Sequence, residues 1–355
     1  MLGLVKKKSF GIDIGTQTIK ITEISNKGGR FSIDNYSIWN DDIENIIQEK
    51  STDTALSSND ITKIIRIMMD AADMSIKQAY VALPSYLTLF AIISMPLLEG
   101  DELLTAVPLE ARKHIPVPLS TVQLDWINLG KNKDQDHYNI LIMAIPNNVI
   151  KRYIDVGKSL GINIQSFELD CFSTIRSINL PETQTCILDF GARNSTVMIV
   201  DSKKKLQTIQ SFDFGGNHLT KLISELKKIN LLEAESIKKN NGISGMDVEV
   251  SELIQSNIQS FILSDLMRLV RQAEEMNGER VENLILLGGG SKITGMKDYL
   301  SLILKNSFSD YNITISVATQ AFNLKVNGLE DTGDATNIWH DLILSTGVAL
   351  KSYIE

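Results

Sequence analysis

The chain has 355 residues and is 43% hydrophobic, 22% charged and 6% aromatic; 35 Lys+Arg against 43 Asp+Glu give a formal net charge of −8. That length implies two or three folding units, enough to bury a sizeable core without staples. The aliphatic content and modest charge exclude intrinsic disorder, and the acidic balance argues against a general nucleic-acid binder, which carries a basic face.

The first patterned stretch, residues 9–24, alternates Phe10, Ile12 and Ile14, pauses at Gly15-Thr16-Gln17-Thr18, and resumes with Ile19, Ile21 and Ile24. It predicts strand, tight turn, strand. A third strand is expected at 30–39, and a polar helix or loop at 41–58. Asn59 or Asp60 then caps a helix whose apolar face is Ile61, Ile64, Ile65, Met68, Met69 and Ala72. Strands at 80–83 and 87–95 end at Pro84 and Pro96, and a helix over 99–114 carries Pro108 awkwardly inside it. Strands at 122–129 and 138–145 and a helix at 147–160 complete a β-β-α-β-β-α block, read as one α+β subdomain.

After Gly161 the first texture returns. Residues 185–200 are strand, turn, strand, broken at Asp189-Phe-Gly-Ala-Arg-Asn194, and another strand covers 206–214. Residues 217–278 are helical in pattern. A buried-type strand at 281–287 runs into Gly288-Gly289-Gly290-Ser291, a helix follows from Ile293, and a last helix closes the chain at 341–353.

Other classes of chemistry leave little trace. Cys171 and Cys186 form neither a Cys-x-x-Cys pair nor a disulfide framework, and four scattered histidines make no ligand cluster, so no structural zinc is expected. Two free thiols suit a reducing cytoplasm. Met1–Val5 is apolar but short and precedes Lys6-Lys7-Lys8, the reverse of signal-peptide order. No run of about 20 apolar residues is present to span a bilayer. The tip either frays or touches an anionic membrane surface.

The informative feature is a repeat. Phe10-Gly-Ile-Asp13-Ile-Gly15-Thr-Gln-Thr18-Ile-Lys20 and Cys186-Ile-Leu-Asp189-Phe-Gly191-Ala-Arg-Asn194-Ser-Thr196 share Asp-x-Gly at the end of an apolar strand. One such turn is an ordinary surface hairpin; two about 175 residues apart point to phosphate binding. Glycine turns let backbone N–H groups approach an anion, and Thr16 and Thr18 add neutral donors. Lys20 either supplies positive charge or points away as an ordinary strand residue. Asp13 and Asp189 cannot face phosphate directly and are expected to hold Mg²⁺ through water. The triple glycine would let backbone lie against a flat ring, and Gly215-Gly216 would aim a helix N-terminus at an anion.

These motifs resemble the actin, sugar-kinase and chaperone ATPase superfamily. Within it the chain resembles the PilM family of type IV pilus assembly, itself similar to FtsA. The resemblance is carried by Gly11–Glu23, Ile93-Ser-Met-Pro-Leu97, Glu110-Ala-Arg-Lys-His-Ile-Pro116, Ile187–Gly191, Phe214-Gly-Gly216 and Leu287–Ser291. It implies an α/β, actin-like two-lobed ATPase fold of duplicated ribonuclease-H-like domains, with an FtsA-type 1C α+β insertion and a helical 2B subdomain. Lobe 1 would comprise 1–78, 165–185 and 335–355, with 1C at 79–164. Lobe 2 would comprise 186–230 and 281–334, with 2B at 231–280.

ATP and Mg²⁺ would then contact Asp13, Gly15, Thr16, Gln17, Thr18, Lys20, Asp189, Gly191, Ala192, Asn194, Gly215, Gly216, Gly288, Gly289, Gly290 and Ser291. By the same resemblance Asp170 is a third metal-side carboxylate in the connection between lobes, and Glu235 and Lys238 lie near the adenosine. Their spacing alone reads equally as a solvated pair on a polar helix.

The resemblance further implies a cytoplasmic protein, peripheral on the inner membrane. It would bind the cytoplasmic N-terminal peptide of PilN in a 1A/1C groove. Through PilN it would meet PilO, and it would link that complex to the pilus motor ATPase, with homo-oligomers open. No residue is assigned as a base, so catalytic residues are unknown and at most slow ATP hydrolysis is expected. Two alternatives stand: a small-molecule kinase of the superfamily, and an FtsA-like membrane filament. The second expects a C-terminal amphipathic anchor, whereas the chain ends at Glu355 after a lobe-1 helix. Pro108 and the absence of aromatics over 266–276 depart from the family pattern.

Overall fold

The computed structural model describes residues 8–40, 56–308, 310–319, 325–326 and 338–354. The expectations for the apolar tip and most of 41–58 lie outside them. The chain divides into two compact units: Met1–Ser85 with Lys151–Leu180 and Ala318–Glu355, and Tyr86–Ile150 with Pro181–Val317.

The first unit is built on a six-stranded sheet in the order β14-β3-β2-β1-β4-β8. Its strands are β1 (Lys8–Ile14), β2 (Thr18–Lys27), β3 (Arg30–Asn40), β4 (Gln78–Leu83), β8 (Asn163–Leu169) and the short β14 (Lys325–Val326). β1, β2 and β3 form an antiparallel meander, and β4 and β8 add parallel to β1. Ile12, Ile19, Ile21, Ile24, Ile33 and Val81 are buried. Helix α1 (Ser58–Ala71) buries Ile61, Ile65 and Met68, one face at helical spacing. Its cap is Ser57 rather than Asn59 or Asp60: Ser57 has extended backbone, and its Oγ accepts from Asp60 N at 3.2 Å.

Three short segments finish this unit: α3 (Asn147–Leu160), α4 (Asp170–Ser177) and α10 (Ile343–Leu350). α10 lies so close to its neighbours that side chains are excluded. A Cβ on Gly11 of β1 would sit 1.9 Å from Ser345 O, and one on Gly347 would sit 2.0 Å from Ser173 O of α4. Hydroxyls knit the seam: Ser9 Oγ donates to Ala349 O at 2.7 Å, and Thr22 Oγ1 and Ser345 Oγ lie 2.6 Å apart. Arg176 of α4 grips Glu168 through both guanidinium nitrogens at 2.6 Å and donates to Gly347 O at 2.9 Å.

The second unit holds a five-stranded sheet, β11-β10-β9-β12-β13. Its strands are β9 (Thr185–Phe190), β10 (Ser195–Val200), β11 (Leu206–Phe212), β12 (Asn283–Leu287) and β13 (Thr314–Val317). β9, β10 and β11 are an antiparallel meander, and β12 and β13 add parallel to β9. This repeats β3-β2-β1-β4-β8 strand for strand, so the duplication read from two Asp-x-Gly hairpins extends to whole sheets. Packed with it are α5 (Gly216–Lys227), α6 (Leu231–Asn241), α7 (Val248–Ile258), α8 (Ser264–Asn277) and α9 (Met296–Ser307). α7 and α8 are one run joined by a π-helical segment at Gln259–Leu263, whose extra residue keeps Ile258, Ile262, Leu266 and Leu269 on the buried side.

The same unit contains a smaller module of β5 (Leu89–Pro96), β6 (Val122–Lys131), β7 (His137–Pro146) and α2 (Asp101–Ala111). Its antiparallel sheet runs β5-β7-β6, over a separate core of Ile93, Met95, Val107, Ile140 and Ile142. β4 therefore does not belong to a β-β-α-β-β-α block. It is buried between β1 and β8, which is why Ala79, Val81 and Leu83 face no water. α2 is shorter than the expected 99–114: Gly100 at φ 52° starts it, and Pro108 stays inside while Leu103, Val107 and Ala111 keep the core face. None of the helices among the described residues is long and apolar enough to cross a membrane.

Candidate functional site

Each sheet presents its Asp-x-Gly turn at the same position. Asp13 pairs across to Lys20 of β2 and sits beside Ala82 of β4; Asp189 pairs across to Thr196 of β10 and sits beside Leu287 of β12. Both turns close identically. Gly15 N donates to Thr18 O at 2.9 Å, and Gly191 N donates to Asn194 O at 3.1 Å. A Cβ would meet those carbonyls at 3.1 and 2.7 Å. The N–H groups of Gly15 and Gly191 are thus spent on closing their own turns. The glycines are required because the strand ends approach so closely.

In the first unit Asp13 is buried, and Lys20 Nζ lies 3.4 Å from its Oδ2. Lys20 is the cross-strand neighbour of Asp13, which puts its ammonium beside the carboxylate. Thr16, Gln17 and Thr18 are half-buried on the loop. Asp170 opens α4, and both its oxygens are held by one residue. Ser85 N donates to Oδ2 at 3.1 Å, and Ser85 Oγ donates to Oδ1. Ser85 is fully buried. No sequence signal singled it out.

In the second unit β12 carries the triple glycine alongside Asp189. Gly288 has φ 79° and ψ 173°, a region essentially reserved for glycine. A Cβ there would lie 2.4 Å from Asp189 Oδ1, and one on Gly290 would lie 2.2 Å from the Phe190 ring. A Cβ on Gly289 meets no protein atom within 4 Å. Ser291 Oγ turns back to Gly288 O at 2.7 Å and braces the turn. Asn194 Nδ2 donates to Asp213 at 3.3 Å, while its Oδ1 is buried without a hydrogen-bond partner.

Gly215 and Gly216 lie against the hairpin turn. Gly216 N donates to Gly191 O at 3.0 Å and Asn217 N donates to Ala192 O at 2.7 Å. Gly215 N donates to His218 Nδ1 at 3.3 Å. These first N–H groups of α5 therefore fix the turn instead of standing open to an anion. Burial lowers the His218 pKa against the raising effect of Asp213, in keeping with a neutral ring whose Nδ1 accepts. That ring stacks on Phe214, which stacks in turn on Phe190 and Phe261.

Glu235 and Lys238 are not a solvated pair. Lys238 is buried, and its Nζ donates to Gly216 O at 2.9 Å, Thr220 Oγ1 at 2.8 Å and Glu235 Oε2 at 2.6 Å. Three protons meet three acceptors, so the ammonium ties α6 to the first turn of α5. Burial, opposed by Glu235, pulls the Lys238 pKa down because Lys238 is the more enclosed partner. Burial raises Glu235, but Lys238, Thr220 and Lys239 together outweigh it and bring the carboxyl below its ordinary 4.5. A depressed carboxylate contributes stability above its unfolded value and loses it as pH falls through the folded one. Glu235→Gln should therefore lower stability by about 2 kcal/mol at pH 7. The gap to wild type should shrink below pH 4.5, as read by urea unfolding at pH 7, 5 and 3.5; a gap independent of pH would refute the charged pair.

Cys171 and Cys186 are buried, and burial pushes both thiols up, so they are packing residues. Among the described residues no three His, Cys, Asp or Glu side chains gather as a metal cluster.

A profile for type IV pilus assembly protein PilM matches residues 11–353, nearly the whole chain. The chain belongs to the PilM family. Its fold is shared by the PilM–PilN type IV pilus biogenesis complex, with a TM-score of 0.77 at 17% identity over 98% of each chain. It is also similar to the ethanolamine utilization protein EutJ from Carboxydothermus hydrogenoformans, at TM-score 0.54 and 14% identity over 98% of this chain and 90% of that one. MreB 5 of Spiroplasma citri bound to AMPPNP gives TM-score 0.51 and 13% identity over 98% and 97%. The actin-like fold that the resemblance implies is therefore the fold of this PilM-family chain.

Proposed function

We infer that the chain is the actin-like, nucleotide-binding component of a type IV pilus assembly platform, and that it binds a PilN-type partner. The observation that carries this is the end-to-end likeness to a PilM–PilN complex in a chain of the PilM family. The partner segment would be PilN's cytoplasmic N-terminal peptide, bound in a groove of the 1A and 1C subdomains. PilO would be reached through it, and the chain would link that complex to the motor ATPase. The protein would work peripherally on the cytoplasmic face of the inner membrane.

The nucleotide would be ATP with Mg²⁺, as the AMPPNP in an MreB of the same fold supports. The residues fit that ligand. Asp13, Asp170 and Asp189 are hard oxygen donors of the kind that hold Mg²⁺ through its water shell. Asn194 Oδ1, a buried acceptor without a partner, suits a cation's water better than a phosphate. Gly289 offers bare backbone for a ring, beside the cradle that Gly288 forms against Asp189. When bound, Mg²⁺ would neutralise polyphosphate charge. The chain's own groups would orient it: Asp13 steadied by Lys20, Asp189 by the triple-glycine turn. Gly215 and Gly216, with Glu235 and Lys238, would set the position of the second hairpin.

Calorimetry tests both parts. Mg·ATP should bind saturably, and Asp13→Ala should weaken it at least about tenfold. A peptide from the cytoplasmic N-terminus of the cognate PilN-like protein should bind, with an ATP dependence lost in Asp13→Ala. ATP binding without peptide binding would overturn the platform reading in favour of a kinase or filament.

A further inference from the structure

Ser85 holds both oxygens of Asp170 and is itself wholly enclosed. It is also the last residue of the first unit; the chain enters the 86–150 module at the next residue, Tyr86. A short 3-10 turn, Ser85–Leu87, begins there, so the Asp170 carboxylate takes the N–H at the start of that turn as well as the hydroxyl. We propose that Ser85 is the positioning residue for the Asp170 carboxylate, and that this bond pair carries the state of the metal side of the nucleotide site to the root of the 86–150 module. The proposal rests on the nucleotide reading above.

The physical case has two parts. A carboxylate on the first turn of an eight-residue helix has freedom about two torsions, which costs affinity unless a neighbour removes it. Two donors from one buried residue, one on each oxygen, fix the plane of the carboxylate. The coupling part follows from shared atoms. Any ligand that draws on Asp170 competes with or reinforces the Ser85 bonds, so its binding and those bonds are energetically coupled.

The test compares ADP affinity with Mg²⁺ and with excess EDTA, in wild type, Ser85→Ala and Ser85→Cys. Alanine removes the hydroxyl donor; cysteine keeps the volume with a weak donor. The expected result is a loss of about tenfold in Mg·ADP affinity with Mg-free affinity nearly unchanged, in whichever variant keeps the native melting profile. Equal losses with and without Mg²⁺ would mean a merely structural serine and overturn the proposal. So would an unchanged ratio.

Hydrogen exchange gives a second readout. In wild type with ADP, adding Mg²⁺ should change protection over residues 84–89, and the change should vanish in Ser85→Ala. Failure of wild type to bind ADP at all would instead strike the nucleotide reading. Should alanine not fold, cysteine alone decides.

Discussion

Gly347→Ala should destabilise the first unit by about 3 kcal/mol, although helix propensity alone argues for the opposite sign. Alanine inside a helix is favoured over glycine by about 1 kcal/mol. Gly347 lies within α10, so a free helix would gain. In the fold, the new Cβ would sit 2.0 Å from Ser173 O and 2.6 Å from Ser173 C. Those atoms are backbone of α4 and have no rotamer to yield. Either helix α10 lifts off α4 or α4 moves, and movement strains the Arg176 bond to Gly347 O and the Glu168 pair behind it. Overpacking typically costs 1–3 kcal/mol, occasionally more, and here it must also cancel the propensity gain. Equilibrium unfolding in urea, followed by a probe in the first unit, decides the sign. A variant as stable as wild type would falsify the close approach of α10 and α4.

Neighbouring glycines of the triple-glycine turn should behave oppositely. Gly288→Ala places a β-carbon on backbone at φ 79°, ψ 173°, and brings it within 2.4 Å of Asp189 Oδ1 and 2.5 Å of Phe190 O. Conformational strain of about 1–3 kcal/mol adds to the displacement of the carboxylate, for a total of about 3–5 kcal/mol. Gly289→Ala meets no protein atom within 4 Å and should leave the melting curve within about 0.5 kcal/mol of wild type. If the bare backbone at Gly289 serves a ring, the same variant should bind ADP about tenfold or more weakly, the equivalent of about 1.4 kcal/mol. Melting curves and ADP titrations of the two variants, side by side, separate a glycine needed by the fold from a glycine needed by a ligand. Normal ADP affinity in Gly289→Ala would remove that residue from the site.

The site was legible where its cause is local. An Asp-x-Gly at the end of an apolar strand closes its own turn within four residues, so both hairpins and their equivalence could be read directly. The helical stretch at 217–278 was legible because its buried positions recur at helical spacing. The triple glycine announced a close approach without saying to what.

What sequence could not give depends on partners distant in the chain. The bond that fixes Asp170 comes from Ser85, 85 residues earlier. Lys238 reads as one more surface lysine until α6 packs on α5 and its ammonium reaches Gly216 O, 22 residues away. β4 has the pattern of a strand in either of two sheets, and only its parallel pairing with both β1 and β8 decides between them.

Local periodicity and turn chemistry therefore determined, from the residues alone, the duplicated hairpins and most of the strands and helices. The tertiary structure decided which N–H groups are already spent, which charges are buried, and where backbones approach too closely for a β-carbon. Those properties belong to pairs of segments up to 340 residues apart, as in the bond from Ser9 to Ala349. A pattern of single residues carries no record of which distant segment will satisfy a donor or enclose a charge.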